Sequence, residues 1–126
     1  MGMWIYMLVM VLLLPAVMIG IGHLLMHRPP RGINWIYGYR TSRSMASQDA
    51  WDFAHRFFGR RCRKMGWWLV LPSAAAMLPL LGKSEDAIGT AGIVLISIQL
   101  AVFFAPIVST ERALARNFDK HGVRKP

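Results

Sequence analysis

Between Trp4 and Leu25 the chain reads WIYMLVMVLLLPAVMIGIGHLL, 22 residues without one formal charge. As a helix this run spans roughly 33 Å, enough to cross the hydrocarbon core of a bilayer. His23 is its only readily ionisable group, and a membrane helix tolerates a kink at Pro15. No Lys or Arg precedes the run and no small-x-small cleavage site follows it, so it reads as a retained span rather than a signal peptide. Two more apolar segments follow, at about 66–82 and 88–108. The first is short and irregular, carrying Pro72, Pro79 and the small-residue run Ser73–Ala76, which suits close helix contact. In the second, Gln99 is placed to bond a neighbouring helix. Pro29-Pro30 ends the first helix, and the residues up to about 65 form a long polar connector. The tail, 110–126, mixes charges. The expected architecture is an all-α membrane protein, one domain of three transmembrane helices plus an amphipathic helix on the cytoplasmic face.

Composition agrees with that class. The chain has 126 residues, 55% of them apolar, and a formal charge of +9. Lys and Arg number none before the first span, nine in the first connector, one in the second and five in the tail. Basic loops stay inside, which predicts an external N-terminus with the long connector and the C-terminus cytoplasmic. Arginines beside apolar spans favour the bilayer and its anionic lipid headgroups over direct contact with nucleic acid. The lone Cys62 excludes an intrachain disulfide and any multi-cysteine zinc site.

The second half of the connector changes character at Ser47, a candidate N-cap with Asp49 and Asp52 in or near the first turn. Trp51, Ala54, Phe58, Cys62 and Met65 recur at steps of three and four, while Arg56, Arg60, Arg63 and Lys64 fall largely away from them. Such a helix commonly lies among headgroups; the other reading packs it on the protein's own spans.

The first half of the connector carries the chemistry. Gly38 between Tyr37 and Tyr39 permits a close backbone approach. Trp35, Tyr37 and Tyr39 are rings of the kind found at headgroup depth. Arg40 offers a planar fork for phosphate or carboxylate. Asn34, Thr41, Ser44 and Ser47 are able to complete an anion site, with amide groups at the helix start. The competing reading is a clasp in which these residues cap helices and bond their own backbone, with Glu111 at the end of the third span pairing Arg40. No paired acid and base, metal-ligand spacing or phosphate-cradling glycine loop is visible, so neither an enzyme nor a cofactor is expected.

The pattern Asn34-x-x-Tyr37-Gly38-Tyr39-Arg40-Thr41-x-x-Ser44-Met45-x-Ser47-x-x-x-Trp51, with Ala54 and Gly59 behind it, resembles the signature of the SdpI family of small bacterial membrane proteins. Glu111-Arg-Ala-Leu114 and Phe118-Asp119-x-x-Gly122 resemble that family's C-terminal end. The resemblance implies a bacterial plasma-membrane protein acting in immunity to a secreted antimicrobial peptide or in signalling through a cytoplasmic repressor. A ligand or partner would be bound by Asn34, Tyr37, Gly38, Tyr39, Arg40, Thr41, Ser44, Ser47, Trp51 and Glu111. The alternative is a lipid-phosphate binding or transport protein acting as a homo-oligomer.

Overall fold

The computed structural model describes residues 2–34 and 38–125. Its elements are α1 (Gly2–His27), α2 (Gln48–Met77), a single 3₁₀ turn (Leu78–Leu80) and α3 (Glu85–Asn117). Beyond these, one antiparallel bridge joins Phe118 to Arg124. At 1.5 Å per residue the three helices run about 39, 45 and 50 Å. The turn into α3 passes through Gly82 at φ 81°. Ser84 then caps the helix by accepting from the Ala87 N–H at 3.2 Å, with Glu85 and Asp86 in the first turn.

The helices alternate in direction. Gly22 of α1 lies against Gly59 of α2, and at the far end the Trp4 indole donates to the Met77 carbonyl at 2.7 Å. Met77 ends α2, where carbonyls lack a helical donor, so the indole supplies one. α3 runs back along α2: Ala54 and Leu114 share one core cluster, and Met77 and Ile88 share another. Glycine sets the α1–α2 spacing. A Cβ on Gly22 would stand 2.6 Å from the Gly59 carbonyl oxygen, and one on Gly66 2.9 Å from that of Pro15. Backbones this close gain dispersion contact that larger residues would prevent.

Pro15 explains a polar contact deep in the bundle. A proline has no N–H to give the carbonyl four residues before it, so the Val11 oxygen loses its helical donor. Gln99, buried on α3, donates its Nε2 to that oxygen at 2.7 Å and to Ser73 Oγ on α2 at 2.8 Å. One amide thus joins all three helices where α1 is interrupted.

α1 and α3 are long and apolar enough to cross a membrane, and only 28% and 17% of their most apolar windows are buried. Two such flanks left bare in water would form a far larger apolar patch than soluble monomers carry. α2 departs from expectation. The sequence points to an interfacial helix ending near residue 65 and a separate span at 66–82; the structure has one helix from Gln48 to Met77. The stripe continues through the supposed boundary: Trp51, Ala54, Phe58, Cys62, Gly66, Ser73 and Met77 are all buried. Its apolar face packs on the protein's own helices rather than among headgroups. The change from charged to apolar residues near Gly66 alters what the outer face meets, while the backbone hydrogen-bond ladder is indifferent to it.

Candidate functional site

The connector folds back over the ends of all three helices, and its motif residues mostly hold one another. Gly38 has φ 114°, a region closed to most side chains, and a Cβ there would stand 2.6 Å from His55 Nε2. That close passage lets the Tyr39 N–H donate to His55 Nε2 at 2.9 Å. The nitrogen facing an N–H must be an acceptor, so the imidazole proton resides on Nδ1, which donates to the Trp51 carbonyl at 2.8 Å. His55 is therefore neutral. Burial holds its pKa below 6.5, against a smaller opposing pull from the Trp51 carbonyl. The Trp51 indole donates to the Pro30 carbonyl at 2.8 Å, tying the end of α1 to the start of α2.

Tyr39 is the centre of the clasp. Its ring packs on Phe58 with centroids 4.7 Å apart. Its hydroxyl reaches Glu111 Oε2 at 3.0 Å and the Ile107 carbonyl at 3.3 Å. The Thr41 hydroxyl donates to the same Glu111 oxygen at 3.1 Å. Burial first, then the adjacent Glu111 carboxylate, raises the Tyr39 pKa, so the phenol stays protonated and donating. Ser44, fully buried, donates to the Tyr39 carbonyl at 2.8 Å and accepts from the Thr41 N–H at 2.9 Å. This closes a tight turn around Arg40.

Ser47 is the N-cap of α2, accepting from the Ala50 N–H at 3.0 Å. Its hydroxyl donates to the Gly122 carbonyl at 2.7 Å, which docks the tail. Arg124 pairs with Asp49 at 2.9 Å and stacks over Phe118, its Cζ 4.8 Å from the ring centroid. Hydrogen bonding to Arg124 lowers the Asp49 pKa. Phe118 is buried against Phe53.

The expected site residues thus converge in part. Tyr39, Thr41, Ser44 and Glu111 form one network, and Ser47 and Trp51 anchor it to the tail and to α1. Asn34 donates to the Gly32 carbonyl at 3.0 Å, at the connector's surface. Trp35 and Tyr37 lie outside the described residues. The expected Arg40–Glu111 pairing is replaced: among the described residues Glu111 meets the Tyr39 and Thr41 hydroxyls, and no ion pair joins it to Arg40. Two neutral donors satisfy one carboxylate oxygen at the edge of the core, where the desolvation cost of seating a second charge would be larger. Sequence reasoning missed His55. Its spacing of four from Trp51 was available as a signal, but only the fold brings Gly38 against it.

Arg40 is exposed, on the rim of a groove of about 410 Å³. Ile21, Leu24 and Leu25 of α1, Phe58 of α2 and Ile107 of α3 form its apolar walls, and Gly38–Thr41 form its roof. The site therefore offers an apolar slot closed at one end by polar backbone, a hydroxyl and a guanidinium.

Residues 31–110 match the SdpI/YfhL protein family. The match covers most of the chain, including the connector, α2 and the apolar part of α3. The chain belongs to the SdpI/YfhL family, and with its two long apolar helices it is a membrane protein. A relative in Bacillus subtilis (strain 168), described as "Uncharacterized protein YfhL", is 49% identical over 42 residues. That alignment covers 33% of this chain and 38% of the relative's length. No solved structure matches the chain.

Proposed function

We propose that the chain is a non-enzymatic binding protein of SdpI type in the bacterial plasma membrane, serving immunity to a membrane-active peptide or signalling at the membrane. In this reading the apolar part of α2 with the 3₁₀ turn is a third span, the N-terminus is outside, and the connector lies at the cytoplasmic leaflet. The observation that carries the proposal is the groove under the connector, apolar along its walls with Arg40 and Thr41 at its rim. Such a slot suits an amphipathic ligand whose apolar part lies between α1 and α3 and whose anionic end meets the guanidinium. The clasp serves to fix the rim: Tyr39, Ser44 and His55 hold the backbone on both sides of Arg40.

Two variants test this in a strain sensitive to the peptide. Arg40→Ala removes the cation, and Leu24→Trp fills the groove from a position outside the clasp. Both are expected to insert normally and to abolish protection. Full protection by Leu24→Trp would take the groove out of the mechanism, and full protection by Arg40→Ala would remove the guanidinium. A second reading, in which the occupant is an anionic lipid and the protein acts as an oligomer, draws on the same apolar lining. Native mass spectrometry distinguishes it, since a retained lipid would then be lost on Arg40→Ala.

A further inference from the structure

A second cleft, of about 430 Å³, lies between α2 and α3. Arg61 enters it from α2, and Arg112 and Arg116 from α3, around Ser109 and Phe57. The Arg61 guanidinium sits over the Phe57 ring, 5.1 Å from its centroid, which orders one wall. Among the described residues none of the three arginines makes an ion pair, while Glu111 on the same helix turns away to Tyr39 and Thr41. A further cation stands beside them: Lys125 of the tail donates to the carbonyl of Ala115, which lines the cleft, at 2.9 Å.

Three planar cations gathered with no acid among the described residues beside them repel one another, and their arrangement is stabilised by an anion of matching geometry. We infer that this cleft seats the phosphate of an anionic phospholipid headgroup. Position favours a lipid over a free phosphate. The apolar run of α3 ends at Val108, one residue before Ser109. Val108 and Phe104, one and two turns below Arg112 on the same helix face, are 47% and 59% exposed. A headgroup in the cleft thus leaves its acyl chains lying along an apolar strip. The site is separate from the connector groove and does not depend on its role.

The test is native mass spectrometry of the full chain in detergent, titrated with phosphatidylglycerol, phosphatidylcholine or inorganic phosphate. Wild type is expected to retain phosphatidylglycerol in preference to phosphatidylcholine. Each of Arg61→Gln, Arg112→Gln and Arg116→Gln is expected to weaken retention about fivefold, as loss of one cation near a headgroup predicts. Arg61→Lys, which keeps charge but loses the fork and the stack, is expected to fall between. Lys83→Gln, a charge lost at the opposite end of the bundle, is expected to change nothing. Unchanged retention in the three glutamine variants, equal retention of phosphatidylcholine, displacement by millimolar inorganic phosphate, or a loss in Lys83→Gln as large as theirs would each overturn the assignment.

Discussion

The link between Pro15 and Gln99 gives a prediction whose size follows from the geometry. Gln99→Leu removes the donor that replaces the missing proline N–H and leaves the Val11 carbonyl buried without a partner. An unsatisfied buried acceptor costs about 1–3 kcal/mol, although interhelical side-chain bonds in membrane bundles average only about 0.6 kcal/mol, with a maximum near 1.7. An offset applies, because Gln99 Oε1 is itself buried with no partner among the described residues, and leucine abolishes that penalty. The expected net loss is about 1 kcal/mol. Pro15→Ala restores an N–H to Val11, so in that background Gln99→Leu should cost almost nothing, a coupling of about 1 kcal/mol. Unfolding in mixed micelles with increasing SDS, followed by far-ultraviolet circular dichroism, measures all four proteins. An equal cost of Gln99→Leu in the wild-type and Pro15→Ala backgrounds would refute the claim that the amide answers the proline.

Three further outcomes concern the clasp. Tyr39→Phe keeps the ring on Phe58 but leaves Glu111 with Thr41 alone. It should lower stability by about 1 kcal/mol in the same assay, and Glu111→Gln, which still accepts both hydroxyls, should cost less. Gly38→Ala forces a side chain to φ 114° and against His55 Nε2; a loss of about 1–3 kcal/mol is expected, with faster hydrogen exchange at the Tyr39 amide. For His55, burial sets the folded pKa below 6.5, so the unfolded chain takes up its proton first. The stabilisation from neutral His55 is fully present above about pH 6.5 and is lost as pH falls from there toward the folded value. Melting at pH 7.5 and pH 5 should show this drop, and a His55→Gln variant should show less of it; an equal drop would move the titration elsewhere.

The helical class was legible because 22 uncharged residues from Trp4 to Leu25 admit few readings. The extent of α2 was not, since the shift from arginines to tryptophans near Gly66 imitates an element boundary. Only the buried stripe from Trp51 to Met77, followed past that shift, reveals a single helix. At the site, the Ser47 cap was readable from local rules. The sequence directs Glu111 toward the connector but pairs it with Arg40, because Arg40, Tyr39 and Thr41 are neighbours in sequence and only the fold decides which of them reaches the carboxylate some 70 residues away. The Gln99–Val11 contact is separated by 88 residues. Its cause, a proline four residues past Val11, is nonetheless local and could have been read in advance.

The proposed function requires the Tyr39–Thr41 segment to face the cytoplasm above the groove. A membrane-impermeant maleimide applied to intact cells tests this through Ser42→Cys, beside the rim, and Lys83→Cys, in the opposite turn; the native Cys62 is buried. Position 83 should label from outside and position 42 only after permeabilisation. Labelling of position 42 in intact cells would contradict the placement of the groove at the inner leaflet.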